Sequence, residues 1–284
     1  MITRFSTFGR EMNSAISGKW IASAGLALLA ALPGVASAQI AIADSEEGVN
    51  YVSIGAGSAP EYLGASQYKI KAAPAGRLYF LGQRYVQLLG PQLSVNVLDN
   101  ADWQFGPQIL YRLKRGGTDN AQVNQLPQIN GTAEFGLFGL KSWTIDQNPL
   151  HRFNIRTDLQ GGKNGAEGTL TAQYFMPVSR AVVLNAGGGF GYANSKWMNT
   201  YAGVSTANAF VYPSLNGQAY SPSGGLIDFR LNAAAIISFS EAWHVAVGAR
   251  YQRLQSAISN GPIVTSGGNA NQWVYGAALG YTWK

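Results

Sequence analysis

The chain ends NQWVYGAALGYTWK, residues 271–284. Every second residue from Trp273 gives Trp273, Tyr275, Ala277, Leu279, Tyr281 and Trp283, which leaves Val274, Gly276, Ala278, Gly280 and Thr282 for the other side. Successive side chains of a β-strand point to opposite faces, so this period of two predicts a strand carrying all its large aromatics on one face. The same split recurs upstream. In WQFGPQILYRLK, from Trp103, the apolar row is Trp103, Phe105, Pro107, Ile109, Tyr111 and Leu113, and the other row holds Gln104, Gln108, Arg112 and Lys114. RFNIRTDLQ, from Arg152, sets Phe153, Ile155 and Leu159 against Arg152, Asn154, Arg156, Asp158 and Gln160. QYKIKAAPAGRLYF, LIDFRLNAAAIISF and WHVAVGARYQ divide in the same way.

A soluble sandwich also alternates, but two features favour a membrane barrel. The segments reach the ten or so residues that a tilted strand needs to cross hydrocarbon, and tryptophans cluster at their ends. Trp103, Trp143, Trp243 and Trp283 lie beside short turns or the terminus and mark one interfacial girdle; Trp197 and Trp273, beside long loops, mark the other. The expected fold is an all-β, closed antiparallel transmembrane β-barrel, in which every backbone group is paired without leaving an edge.

Turn lengths set the topology. Short turns are expected near Gly82-Gln83, Asp99-Asn100, Asn148-Pro149, Ser179-Arg180 and Ser240-Glu241, and long polar segments at about 115–128, 197–224 and 256–271. Short turns face the periplasm and long loops the exterior in bacterial barrels, so both termini are periplasmic and the strand number is even. Splitting 84–98 at Gly90-Pro91 into RYVQLL and QLSVNVL gives about twelve strands, with ten as the alternative. Pro74 and Pro107 inside strands each delete a ladder donor and call for an irregularity. The last strand should close against the segment near Val52 and Ile54, with Lys284 reaching the periplasmic surface.

The N-terminus does not read as fold. Residues 21–36 are an apolar run preceded by Lys19 and followed by Ala36-Ser37-Ala38, the pattern of a secretory signal peptide spanning 1–38 and cleaved between Ala38 and Gln39. Met12 is an alternative start to Met1. Residues 39–48 form a periplasmic N-terminal segment and 49–284 the barrel. The chain has no cysteine, so no disulfide staples the fold. A net charge of +6 with only 12% charged residues argues against a nucleic-acid partner.

Chemistry-bearing residues are sparse. His151 and His244 are the only histidines, too few for a metal cluster, and they fall beside short turns on opposite parities. Gly187–Gly191, GGGFG, lies within an alternating run with no following Lys-Ser/Thr helix, so it reads as strand rather than phosphate loop. Asn130-Gly131-Thr132 is formally a glycosylation triplet and is discounted in a bacterial barrel. No catalytic, cofactor or metal site is expected. The informative charges are those that parity turns inward: Lys69, Lys71, Arg77, Arg112, Lys114, Arg152, Arg156, Arg230 and Arg250, against Asp158, Asp228, Glu134 and Glu167. They either pair and fill a narrow lumen or line a pore for anions. The loop from Asn199 to Gly224 carries Tyr201, Phe210, Tyr212 and Tyr220, which either fold inward or face a partner.

PEYLGASQYKIKAAPAGRLYF (60–80), TYAGVS (200–205) and RLQSAISNGPIV (253–264) resemble, in order, segments of the MipA/OmpV family of MltA-interacting outer-membrane proteins. The resemblance runs across nearly all of the expected barrel. Ser256 stands where the family pattern has an acid, Gly261 where it has a serine and Ala202 where it has an aromatic, so an outer-loop arrangement different from that of other members is expected. The resemblance implies a monomeric barrel in the Gram-negative outer membrane, touching lipid and lipopolysaccharide. It further implies a scaffold or interaction role linked to murein synthases and hydrolases, with a narrow channel for small solutes as the alternative, anionic ones if the inward positive charges line it.

Overall fold

The computed structural model describes residues 48–284. The expected signal peptide, its cleavage at Ala38 and Gln39, and nearly all of segment 39–48 lie outside the described residues. Twelve strands follow in chain order: β1 (Asn50–Pro60), β2 (Tyr68–Leu81), β3 (Arg84–Leu89), β4 (Gln92–Asn96), β5 (Trp103–Arg112), β6 (Thr132–Ile145), β7 (Asn148–Gly162), β8 (Gly165–Pro177), β9 (Val182–Ala193), β10 (Gly225–Ser238), β11 (Trp243–Leu254) and β12 (Asn271–Trp283). Each pairs antiparallel with its chain neighbour, and β12 returns to β1 with Tyr281 opposite Val52 and Leu279 opposite Ile54, so the sheet is a closed barrel. Lys284 is exposed just past the end of β12.

The period of two is realised as two surfaces. Trp273, Tyr275, Leu279 and Tyr281 of β12, and Trp103, Phe105, Ile109 and Tyr111 of β5, are exposed outward. So are Ile54, Ile70, Phe135, Leu159, Phe229 and Leu231 on other strands, which together form an apolar belt that only lipid would cover favourably. No described helix is long and apolar enough to cross a membrane, so the crossing is by strands. Trp103, Trp143, Trp243 and Trp273 lie on the outer surface at strand ends, and Trp283 stacks on Tyr281.

One end of the barrel carries short connections. The link between β6 and β7 is Asp146-Gln147, both at positive φ (53° and 55°), the left-handed pair of a tight hairpin turn. The turn expected at Asn148-Pro149 therefore sits two residues earlier. Pro149 instead enters β7 at its start, where a missing N–H is tolerated. The split at Gly90-Pro91 is a turn, with Gly90 at φ 55°.

The two internal prolines both border the short β3–β4 hairpin. A strand residue turns its N–H and C=O to the same side. The Pro74 carbonyl accepts from Gly90 N at 2.9 Å, so its missing N–H points past the end of β3, where no donor is called for. Phe105 turns toward β4: its N–H donates to Asn96 Oδ1 at 3.0 Å and its carbonyl accepts from Val97 N at 3.0 Å. Pro107 faces the same way, just where the regular β4–β5 ladder stops at Ser94 and Gln108.

At the other end the long connections pack on one another. Helix α1 (Ser195–Ala202) begins where the Asn194 side chain accepts from Trp197 N at 3.0 Å. Its buried residues Trp197, Met198 and Ala202 join Ile227, Leu254, Ile258 and Val264, with α2 (Ser256–Ser259) and α3 (Pro262–Thr265) supplying the last two. A second buried cluster joins Tyr62 and Ala65 to Val123, Leu126, Val204, Val211, Tyr212 and Ile263, so all four long loops at this end contribute to a lid. Trp197 is thus not part of a lipid-facing girdle. At 3% exposure it is a core residue of the lid, because the Asn194 cap switches the chain from strand to helical period.

Candidate functional site

Ionisable residues of many strands converge in the lumen, and its two halves differ. Toward the short-turn end it is filled by aromatic rings under guanidinium groups. Arg77 lies 4.2 Å over the Tyr85 ring, Arg152 4.7 Å over Phe175 and Arg156 4.4 Å over Phe138. Tyr85, Phe138 and Phe175 are each buried to within 2%. Tyr85 donates to Gln104 Oε1 at 2.6 Å, Gln87 to Tyr51 at 3.2 Å, and Ser142 to Asn154 at 2.7 Å. These rings stack on cations at low dielectric, where the attraction is strongest.

Toward the loop end the strands present an ionic network. Arg112 Nε and Nη2 donate to the two oxygens of Glu134 at 2.8 and 2.9 Å, and Nη2 also reaches Glu167 at 2.5 Å. Gln160 donates to the same Glu167 oxygen at 2.6 Å. Arg156 pairs with Asp158 at 2.7 Å, and Gln92 Nε2 bridges Gln108 and Asp158 at 2.7 and 3.2 Å. Arg230 pairs with Asp228 at 2.8 Å, while Gln252 donates to that carboxylate at 2.5 Å. Glu134 and Asp228 are wholly buried. A buried carboxylate is tolerable only with this many donors. Above the network, Trp197 and Tyr201 of α1 lie 5.5 and 5.2 Å from the Arg112 guanidinium. Network and lid enclose a cavity of about 200 Å³, bordered by Arg112, Arg156, Asp158, Asp228, Arg230 and Arg250.

The residues expected to face inward divide into three groups. Arg112, Arg156, Asp158, Asp228, Arg230 and Arg250 come together around the cavity; Lys71, Arg77 and Arg152 are buried in the wall lining. Lys69 sits near the loop-end rim, in an ion pair with Glu61 and 3.5 Å from Asp119. Lys114 does not belong to the strand interior. β5 ends at Arg112, and Lys114 is exposed in the following loop at the cavity's edge. The inward Phe138 and Phe175 were not anticipated. Phe138 shares its row with Glu134 and Gly136, and Phe175 sits opposite Arg152, so parity alone could have found both.

The histidines occupy the short-turn end on different faces. His151 Nε2 meets the Tyr174 hydroxyl at 2.5 Å on the outside. His244 lies inside, with Nδ1 2.8 Å from Ser238 Oγ and Nε2 2.9 Å from Thr282 Oγ1. This serine–histidine contact was invisible in sequence because β10 and β11 had to be put in register first. A hydroxyl rather than a carboxylate orients the ring, so the arrangement lacks the acid of a hydrolytic triad. Among the described residues no group of three or more histidine or acidic side chains is placed to hold a metal.

Burial also tunes the lid. It pushes the Tyr62 phenol up to about 12, with the neighbouring Tyr212 and Glu61 adding to the effect. Burial raises Tyr201, Tyr212 and Tyr220 and lowers Arg115, whose guanidinium donates to Tyr201 O at 2.8 Å.

Three comparisons bear on the chain. The family model of the MltA-interacting protein MipA matches residues 52–283. Outer membrane protein Omp26La of Vibrio anguillarum is 33% identical over 93 residues, which are 33% of this chain and 33% of that protein. The match therefore spans about a third of the relative's length. Among solved structures, the NanC porin superposes with a TM-score of 0.47 at 8% identity, over 81% of this chain and 98% of that one. An outer membrane channel from Pseudomonas putida F1 superposes with a TM-score of 0.39 at 10% identity, over 84% and 96%.

Proposed function

The chain belongs to the family of the MltA-interacting protein MipA and is a β-barrel of the Gram-negative outer membrane; from that premise we propose that it is a non-catalytic interaction protein rather than a conduit. With short turns toward the periplasm and long loops outward, both ends of the strand-built cylinder are blocked. Tyr85, Phe138 and Phe175 fill the periplasmic half, and the loop clusters cover the outer mouth. This double closure is the observation that carries the reading. The strand charges of the lumen are also largely balanced in pairs: Arg112 with Glu134 and Glu167, Arg156 with Asp158 and Arg230 with Asp228. That balance argues for filling over anion selection.

In this reading the rigid barrel anchors a periplasmic surface, built from the five short turns, to lipid and lipopolysaccharide around its belt. The partner suggested by the family's name is a murein-cleaving enzyme. The test is binding of a purified murein transglycosylase from the same cell to the folded barrel in nanodiscs, alongside planar-bilayer recording. Saturable binding and electrical silence are expected. Absence of binding overturns the scaffold reading, and stepwise anion-favouring currents would replace it with a narrow channel.

A further inference from the structure

The barrel wall has a window on its outer half. The β3–β4 hairpin turns back at Gly90-Pro91, and β2 pairs with β3 only from Ala75 onward. Residues Tyr68 to Ala73 of β2 therefore rise past it, about 20 Å of strand or about 15 Å along the axis at a tilt near 40°. On the far side β5 pairs with β4 from Leu110 downward, and Tyr111 N donates to Pro91 O at 3.0 Å, the top of the hairpin. The missing width is that of the two hairpin strands, about 10 Å.

Above the gap the chain leaving β5 crosses to the β1–β2 loop, where Asp119 N donates to Glu61 Oε2 at 2.9 Å and Lys69 lies between the two acids. The opening thus has a floor, two jambs and a lintel. Ile70 beside it is 78% exposed, the most exposed large apolar side chain of the described residues. Ile70 and Ala72 turn their backbone N–H and C=O to the same side as Pro74, into the gap, where no described residue pairs with them. Backbone groups at this depth must be satisfied by something polar, because lipid cannot do it.

Behind the window lies the cavity. Its lining includes Tyr111, which is half exposed on the outer row, together with Gln92, Leu110, Leu113 and Lys114. Lys114 is exposed and has no ion-pair or hydrogen-bond partner among the described residues. Across the cavity lining as a whole, Arg112, Lys114, Arg115, Arg156, Arg230 and Arg250 outnumber Glu61, Asp158, Glu167 and Asp228.

We propose that this window is a lateral binding port for a single-chain amphiphile with an anionic head, drawn from the outer leaflet. The head sits in the gap, against Lys114, the cavity edge and the backbone groups of Ile70 and Ala72, and the alkyl chain runs outward over the Ile70 and Tyr111 side chains into the bilayer. Three observations select that class. The width admits one alkyl chain and not a multi-chain lipid, the rim is apolar outside and polar within, and Lys114, a cation with no partner among the described residues, stands at the entrance. The port does not depend on the scaffold role and needs no through-pore.

The experiment uses the full barrel in phosphatidylcholine vesicles carrying a trace of long-chain fatty acid with a photoreactive group in its chain, and maps the cross-links. Parallel arms use the corresponding alkyl phosphate and the fatty-acid methyl ester. Cross-links to residues 70–73, 90–93 and 111–114 are expected with both anions and not with the ester. Lys114→Glu, at an exposed loop position that leaves the fold intact, should lower rim labelling about tenfold. Since the chain has no cysteine, Ile70→Cys with Tyr111→Cys can be bridged by a bifunctional maleimide after folding, and bridging should abolish it. Labelling spread evenly around the belt, equal labelling by the ester, or rim labelling indifferent to both Lys114→Glu and the bridge would each overturn the port. Labelling by the fatty acid alone would narrow the head to a carboxylate, and by the phosphate alone to a phosphate, each in support.

Discussion

Glu134→Leu is the sharpest test of whether the lumen is held by its ionic network. Glu134 is wholly buried and takes two hydrogen bonds from Arg112, at 2.8 and 2.9 Å. Removing one partner of such a pair costs about 3–5 kcal/mol, because the other charge is left in low dielectric. Here Arg112 keeps Glu167 at 2.5 Å, which places the expected loss near the lower bound, about 3 kcal/mol. With a urea slope of about 2 kcal/mol/M, the unfolding midpoint falls by about 1.5 M. Adding Arg112→Met removes the stranded cation, and Glu167 retains Gln160 as a donor at 2.6 Å. The double variant should recover much of the loss, with a coupling energy of about 1–3 kcal/mol. The assay is reversible urea unfolding in vesicles, read by tryptophan fluorescence and by the gel-mobility shift of folded barrels. A midpoint change under about 0.3 M, or a coupling within about 0.5 kcal/mol of zero, would refute the reasoning and mean that water already screens the pair.

Three further outcomes are expected. A Cβ at Gly136 would lie 1.8 Å from Leu159 O of the neighbouring strand, so Gly136→Val should lose the folded gel band, whereas Gly139→Val, with nothing within 4 Å, should keep it. Trp197→Ala empties the centre of the lid, at a cost of about 3–5 kcal/mol, and should speed proteolysis between residues 195 and 224 while the barrel fragment survives. Raised tyrosines favour the neutral phenol in the folded lid, so their contribution is complete below the unfolded value near 10 and is lost as pH climbs toward the folded value of about 12 at Tyr62. Loop proteolysis should therefore accelerate across that alkaline window, in step with tyrosinate absorbance.

The strand pattern was legible because a lipid-facing strand has to alternate. NQWVYGAALGYTWK, the seam with Val52 and Ile54, and the split at Gly90-Pro91 all follow from that one constraint. The same constraint misled at Trp197, since a parity reading cannot see an Asn194 cap turn the chain helical. It also placed the β6–β7 turn on Pro149, when the turn is set by two left-handed residues with no glycine to announce them. Inward charges could be named one by one, but not their partners, because pairs such as Arg112 with Glu134 and Glu167 depend on inter-strand register. The loop aromatics divide only in three dimensions: Tyr212 is buried at 1%, while Phe210 is left 71% exposed.

The ladder between Asn50 and Trp283 joins the two ends of the described chain, whereas every other ladder joins consecutive strands. Assembly can therefore proceed as a chain of local hairpins until a single long-range event shuts the circle. A circle has no privileged starting strand. Ends relocated to the two-residue link between Gly162 and Gly165 would turn that last, slow closure into one more hairpin, and the step that waits longest would pass to another pair of strands.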